Sequence, residues 1–299
     1  MDTLREIFGP NFLLRNSLYI SLLVGLACPL VGMYLILRRL VFMGVALPQV
    51  SSCGIALAFA LHAGGPIPHI PSAGHTLTDE RTLAFIGSTA LTLPAILLLS
   101  VLTRRTRGSV EGLLGTAYVL AGAWGMLLLA ANPMGEHGLL DLLKGQILAI
   151  TNEDLARTAA TFGLAIVVLW IFKKEFLLVS FDREMAVALR KNALLWDSLL
   201  FLIIGLAISV AVISVGPLVA FGFLLIPPLT AHLFARNMRQ FAVLSAGIGV
   251  GAALAGFCLA YRHDLPPGST QVALLGVLYG LAFAAKQIRS KLTPVGRAS

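Results

Sequence analysis

The sequence predicts an all-α integral membrane protein, a polytopic bundle of about nine transmembrane helices. Of its 299 residues, 58% are hydrophobic and 12% are charged, which is too apolar for a soluble domain of this length. Nine apolar runs approach the roughly 20 residues that a helix needs to cross a bilayer. The alternating pattern of membrane barrels is absent. We expect roughly eight to ten crossings, with about nine favoured, in a single domain over residues 1–299.

Each predicted span is an apolar run whose ionisable residues stay near its ends. In chain order the spans are 17–37, 41–63, 83–102, 113–131, 155–172, 196–214, 216–235, 241–261 and 270–286. The first stops at Arg38 and Arg39 and is long enough to cross, so it is a helix rather than a cleavable signal peptide. Asp197 lies at the start of the sixth span and His232 near the end of the seventh. The piece Leu139–Ile150 is too short to cross, so we expect an outer-face or re-entrant helix there.

The basic residues are distributed unevenly between the two sets of alternate loops. Sixteen of the 22, among them Arg38, Lys173 and Arg239, fall in one set of loops. Short cytoplasmic loops retain such residues, so this side is expected to be cytoplasmic. Nine crossings then place the N-terminus outside and the C-terminus in the cytoplasm. The net charge of +8 follows from the same bias and from contact with anionic lipid, and it indicates no nucleic acid partner.

The chain lacks the residues that several kinds of transport and enzyme chemistry require. No mid-membrane carboxylate of the kind used by proton- or sodium-coupled carriers is present. The His-Glu-x-x-His and Gly-x-Ser-x-Gly motifs are absent, so no enzyme activity is expected. The phosphate loop Gly-x-x-x-x-Gly-Lys-Ser/Thr is absent too, so any ATP must be hydrolysed on another subunit. All three cysteines lie in predicted spans, which predicts free thiols.

One polar loop carries an amphipathic pattern between two spans. Within Val179–Lys191, Asp182 is a good N-cap residue and Phe181 precedes it. Ala186 and Leu189 follow at helical spacing, which predicts a short surface helix. By itself, this pattern is typical of a solvated loop helix.

Four stretches, one of which includes part of this loop, carry distinctive motifs in order along the chain. They are Val24–Leu40 with its Leu-Arg-Arg, Glu111–Tyr118 with Leu143–Leu148, Phe181–Ala186 with Val215–Ala231, and the Asp-x-Pro-x-Gly turn Asp264–Gly268. In these stretches the chain resembles the membrane permeases of ATP-binding-cassette (ABC) importers for zinc and manganese. The likeness covers most of the sequence.

This resemblance implies an assembly of several subunits in a bacterial inner (plasma) membrane. Two permease chains would form a central path, an ABC ATPase subunit would bind ATP, and an extracytoplasmic solute-binding protein would deliver the substrate. This chain would hold no cofactor of its own. Residues 181–191 would be the coupling helix that docks into the ATPase. Its contact residues would be Phe181, Asp182, Glu184, Ala186 and Leu189.

The second span departs from this family where the metal ligands are expected. In the family this place reads Gly-Asp-Ala-x-Ser-His-Ala, and the Asp and His would coordinate the ion. Here Gly44 is kept, but the Asp position is Val45, the Ser position is Pro48 and the His position is Gln49. The loss of both ligands should weaken zinc binding severely, and it leaves the metal ligands unassigned. The candidates for a substrate path are Val45, Gln49, Ser51, Ser52 and Cys53.

Several interpretations of this neutral stretch stay open. The permease moves a solute that needs hydrogen bonds, or pairs with a different chain that supplies the ligands, or uses the Cys53 thiol. Alternatively, Ser51 and Ser52 bond back to their own helix and Gln49 packs against a neighbour.

Two other functions compete with the importer at the level of the whole protein. One is a secondary carrier or channel that works without ATP, and the other is a non-transporting scaffold derived from such permeases. Three histidines in the first outer loop are possible metal contacts on that side, but their spacing matches no compact ligand motif. They are His62, His69 and His75.

Overall fold

The computed structural model describes residues 14–64, 77–105, 110–130, 151–181 and 183–292, and every regular element in these ranges is an α-helix. The all-α prediction is therefore confirmed. The helices are α1 (Arg15–Leu37), α2 (Val41–Gly64), α3 (Leu77–Arg105), α4 (Val110–Ala130), α5 (Asn152–Ile171), α6 (Lys173–Phe181), α7 (Arg183–Ala188), α8 (Ala193–Val215), α9 (Pro217–His232), α10 (Met238–Arg262) and α11 (Pro267–Leu292).

Within the described ranges, eight helices are long and apolar enough to cross a membrane, namely α1 to α5, α8, α10 and α11. The remaining predicted span, the seventh in chain order (216–235), forms α9, which has 16 residues and therefore a length of roughly 24 Å. This is shorter than a bilayer core of about 30 Å. The prediction of about nine helices is confirmed, and the difference in α9 is one of length. The predicted piece Leu139–Ile150 lies outside the described residues.

The helices differ in how far they are buried inside the bundle. In α1, α2 and α8, 67% of the most apolar window is buried, against 11% in α4 and 17% in α11. The central helices pack around large side chains such as Leu47, Phe162 and Phe223, which are almost fully inaccessible. The short α9 lies in this centre and contacts α1, α2, α10 and α11. More than half of its residues are buried, which explains why α9 can be strongly apolar without spanning.

Glycines allow the central helices to approach one another closely. A Cβ atom on Gly249 of α10 would lie 2.1 Å from the carbonyl oxygen of Gly25 in α1. A Cβ on Gly54 of α2 would lie 2.4 Å from the carbonyl oxygen of Gly87 in α3. Such backbone contacts exclude any larger residue, as is typical of packed membrane helices.

A single glycine joins α8 to α9. Gly216 has φ 84° and ψ 163°, a conformation that is essentially restricted to glycine. Its N–H closes α8 on the carbonyl of Val212 at 2.9 Å, and its own carbonyl accepts from Ala220 at 3.0 Å. Pro217 then occupies the first position of α9, where the missing N–H costs nothing.

Candidate functional site

The second helix carries the polar residues that the sequence analysis selected. Val45 and Gln49 are half-buried, whereas Ser51, Ser52 and Cys53 are buried. Pro48 lies inside the helix and has no N–H to donate to the carbonyl four residues earlier. We call Gln49, Ser51, Ser52 and Cys53 the α2 polar patch.

The members of the α2 polar patch face different neighbours. The Ser51 hydroxyl lies 2.6 Å from the Ser88 hydroxyl of α3, in a fully buried contact. The Ser52 hydroxyl donates to the Pro48 carbonyl at 3.0 Å. Ser52 thus bonds back to its own helix, as one interpretation expected, whereas Ser51 bonds across to another helix. Both hydroxyls have partners within the protein.

Gln49 and Cys53 lie one turn apart on the face of α2 that packs against α4. A Cβ atom on Gly122 would lie 3.2 Å from the Gln49 amide nitrogen. A Cβ on Gly125 would lie 3.5 Å from the Cα of Cys53. The two glycines therefore make room for this polar face. Of the predicted substrate-path residues, Ser51 thus contacts α3, whereas Gln49 and Cys53 face α4.

No cluster of three or more His, Cys, Asp or Glu side chains occurs in the part of the chain that the structure describes. Val45 and Gln49 supply no charge. They stand where the family that the chain resembles has its metal ligands. His62 lies in the last turn of α2, and His69 and His75 lie outside the described residues. The α2 polar patch can therefore offer hydrogen bonds and a thiol, and no carboxylate or imidazole.

The second candidate region is the corner formed by α6 and α7. Ala186 is fully buried there, in a small cluster with Val179 and Ala193. On the outer side, Phe181, Met185 and Leu189 are exposed by 64%, 54% and 55%. We call these three residues the exposed apolar stripe.

The structure distributes the predicted contact residues over both sides of this corner. Phe181, Glu184 and Leu189 point outward, whereas Ala186 anchors α7 to the bundle. Asp182 lies outside the described residues. Met185 was missed by the sequence reasoning, although its spacing of four from Phe181 and from Leu189 was visible in the sequence.

The C-terminal end of the α7 segment is closed by a turn and tied to α6. Arg190 adopts φ 56°, and the N–H of Lys191 returns to the carbonyl of Ala186 at 3.0 Å. This left-handed turn is a typical helix C-terminus. The Lys191 ammonium also donates to the Glu175 carboxylate of α6 at 3.0 Å. That hydrogen bond lowers the pKa of Glu175.

A buried ion pair joins α1 to the same corner. The Arg38 guanidinium lies 2.7 Å from the Asp197 carboxylate of α8, and these side chains are only 9% and 5% exposed. Arg38 also donates to the Ser180 hydroxyl of α6 at 3.0 Å and lies over the Phe201 ring. Removal of one partner of such a pair typically costs roughly 3–5 kcal/mol, because a buried charge is left alone. Arg38 therefore fixes the relative positions of α1, α6 and α8.

The opposite end of the bundle carries its own polar cluster. The Arg81 guanidinium of α3 lies 2.8 Å from the Asp154 carboxylate of α5. The same carboxylate accepts from the backbone N–H of Thr151, whose hydroxyl accepts in return from the N–H of Asp154. This capping box fixes the start of α5. A cavity of about 30 Å³ lies beside the cluster.

Comparisons with known proteins agree with this architecture. The model of a family described as the ABC 3 transport family matches residues 11–286. A manganese import system permease protein of Streptococcus gordonii is 26% identical over 270 residues, which is 90% of each chain. A membrane protein of Haemophilus influenzae named for an iron transport system is 25% identical over 283 residues, covering 95% of this chain and 93% of the relative.

Solved structures show the same fold. PsaBC from Streptococcus pneumoniae, solved in complex with a Fab, includes a chain that superposes with a TM-score of 0.79 at 26% identity. The match covers 97% of this chain and 98% of that one. An inward-facing structure described as a metal-chelate type ABC transporter has a TM-score of 0.67 at 17% identity, with 91% and 85% covered. The latter likeness concerns the fold alone.

Proposed function

Because the chain belongs to the ABC 3 transport family, we propose that it is the membrane-spanning permease subunit of an importer driven by ATP hydrolysis on a separate subunit. The observation that carries this proposal is the exposed apolar stripe. Phe181, Met185 and Leu189 present apolar side chains to the outside of the bundle, while Ala186 anchors the same helix within it. An anchored helix with an apolar outer face is suited to transmit movement from a docked partner.

The proposal includes an orientation and a set of partners. The end that carries Arg38, Lys173 and Arg239 faces the cytoplasm, since basic residues concentrate there. The α6–α7 corner then faces the ATPase. A second permease chain completes the path, and a solute-binding protein delivers substrate to the opposite face of a bacterial plasma membrane. Residues 181–191 remain the proposed coupling segment.

We propose divalent metal ions, manganese first, as the substrate class. Relatives of similar length are named for manganese import and for iron transport. The neutral α2 polar patch favours a second candidate, a solute bound by hydrogen bonds rather than by charged ligands. Val45 and Gln49 lack the charge that would hold a divalent ion tightly, so a metal would depend on other residues or on a partner chain.

The coupling proposal is tested with Leu189→Asp, assayed by co-purification with the ATPase and by ATP-dependent uptake. A buried carboxylate at the docked surface should abolish ATPase binding. Leu265→Asp is the matched control, because Leu265 is similarly exposed in the connection between α10 and α11 at the opposite end. Retention of the ATPase by Leu189→Asp would place the docking surface elsewhere, and uptake that continues after the ATPase has been lost would support a carrier or channel independent of ATP.

The substrate proposal is tested by uptake of radiolabelled manganese and zinc into cells without their own importers. The cells express the permease with an active or an inactivated ATPase. Accumulation only with the active ATPase supports metal import. Absence of accumulation from a complex that co-purifies intact would indicate a different solute or a scaffold.

A further inference from the structure

A groove between α1, α5–α6 and α10 has no role in the function described above. It encloses about 690 Å³ and lies at the basic end of the bundle. Its walls are apolar side chains such as Met33 of α1, Leu169 of α5, Leu177 of α6 and Ala242 of α10. Trp170 lines it and is 70% exposed, so the groove is open to the surroundings of the bundle.

Three cations lie among the groove-lining residues. Lys173 and Lys174 follow the end of α5, and Arg239 lies in the first turn of α10. Among the residues that the structure describes, none of the three has a carboxylate within ion-pair distance. Glu175, their neighbour in sequence, is hydrogen-bonded to Lys191 and has only a weaker Coulomb attraction to Lys174. The Lys173 ammonium lies 5.8 Å from the centre of the Trp170 ring, so a positive charge is held beside the apolar wall.

This combination selects one kind of occupant. A metal cation is repelled by the three positive charges, and a small soluble anion makes no use of the apolar walls. An amphiphile with an anionic head and an acyl chain uses both. The volume lies in the usual range of ligand sites, about 300–1,000 Å³. Basic pockets between membrane helices on the cytoplasmic side are suited to anionic lipid headgroups.

We propose that this groove is a binding site for an anionic phospholipid of the inner leaflet. The phosphate lies against Lys174, Lys173 and Arg239, and an acyl chain lies along Met33, Leu169 and Ala242. The site ties α10 to α5 and α6 through the lipid. The inference depends on the membrane placement and orientation of the helices, and it is independent of the substrate and of the ATPase.

The groove contains its own reporter, because the Trp170 ring is quenched by brominated acyl chains that lie beside it. The full-length protein carrying Trp124→Phe and Trp196→Phe, which leaves Trp170 as its single tryptophan, is reconstituted in phosphatidylcholine vesicles. Dibrominated phosphatidylglycerol or dibrominated phosphatidylcholine is then added at matched fractions. The ratio of the two quenching curves gives the preference for the anionic lipid. We expect at least a fivefold preference in the parent protein.

Matched variants separate a built site from general surface charge. Lys174→Gln with Arg239→Gln removes two groove cations and leaves Lys173 on the reporter, so the preference should fall at least fivefold. Arg236→Gln with Lys286→Gln removes two exposed cations outside the groove and should leave the preference unchanged. Ala242→Phe keeps every charge but narrows the groove between its apolar walls, and this variant should also lose the preference for the anionic lipid.

Three outcomes would overturn the proposal. The first is an equal loss in both double variants, which indicates general attraction to the surface. The second is an unchanged preference in Ala242→Phe, which shows that the acyl groove is not used. The third is absence of preference in the parent protein together with an interchain disulfide formed by Val243→Cys beyond the parent's background. That result assigns the groove to a second copy of the chain.

Discussion

The α2 polar patch and the Arg38–Asp197 ion pair both join helices inside the bundle, but with opposite chemistry. The patch uses neutral groups, such as the Ser51–Ser88 contact at 2.6 Å. The corner uses a full charge pair at 2.7 Å with both side chains buried. Neutral membrane hydrogen bonds contribute on average about 0.6 kcal/mol, whereas breaking a buried ion pair costs several times more. The charges of this protein therefore hold the proposed coupling corner, and the candidate substrate path is left uncharged.

The largest effect is expected when the corner loses one charge. Asp197→Ala leaves the Arg38 guanidinium buried without its carboxylate, which should destabilise the protein by roughly 3–5 kcal/mol. Thermal unfolding of the purified protein in detergent measures the loss. The double variant Arg38→Met with Asp197→Leu removes both charges and should recover most of it. Equal instability of the single and double variants would mean that the corner is held by something other than the charge pair.

The second prediction adds charge to the patch. Val45→Asp with Gln49→His places a carboxylate and an imidazole four residues apart on one face of α2, where they converge on a divalent ion. We expect ATP-dependent manganese uptake at low metal concentration to rise by about tenfold. Val45→Leu with Gln49→Met, which adds no ligand, is the control. Equal uptake by both variants would separate this face of α2 from the substrate path.

The third prediction measures the neutral contact. A double-mutant cycle with Ser51→Ala and Ser88→Ala, followed by thermal unfolding, should give a coupling energy of about 0.6 kcal/mol and at most roughly 2 kcal/mol. The buried hydroxyl that each single variant leaves behind should make the single losses larger than half of the double loss. A coupling energy of roughly 3–5 kcal/mol, as large as the loss expected for the Arg38–Asp197 pair, would contradict the contrast between the α2 polar patch and that pair.

The smallest effect is expected at the partly exposed pair Glu175–Lys191. Lys191 holds the pKa of Glu175 below its ordinary value of 4.5, so the pair stabilises the fold above that pH. The contribution is lost as the pH falls through the lowered pKa. Since Lys191 is 39% exposed, solvent screens the pair and we expect less than about 0.5 kcal/mol. The difference in unfolding temperature between the parent and Glu175→Gln should be present at neutral pH and should vanish in acid. A difference that persists in acid would indicate a packing role for Glu175.

The helices could be predicted from the sequence, but the contacts between them could not. The length of each apolar run predicted each span, because a helix that crosses lipid needs about 20 residues and must make its backbone hydrogen bonds within itself. The same criterion overestimated the length of α9, because burial within the protein allows an equally apolar but shorter helix. The Arg38–Asp197 pair joins residues 159 positions apart, and its separate members look like ordinary flanking charges in the sequence. Such long-range pairs are fixed by the packing of the bundle.

The sequence also predicted only half of the α6–α7 corner. The helical spacing of Phe181, Ala186 and Leu189 was visible, but periodicity alone did not tell which residues face the bundle. The structure decides this, because Ala186 is buried in a cluster with Val179 and Ala193. That choice turns Met185 outward and completes the exposed apolar stripe.

The turn between α1 and α2 has a mechanical consequence. Arg39 adopts φ 57°, and the N–H of Leu40 closes on the carbonyl of Leu35 at 2.9 Å, so α2 begins at Val41 after a short, fixed turn. Arg38, just before that turn, is bonded to Ser180 of α6. A displacement of α6 that preserves this bond must carry the first residue of α2 with it. The turn therefore couples α6 to the start of α2, about two helical turns before the α2 polar patch.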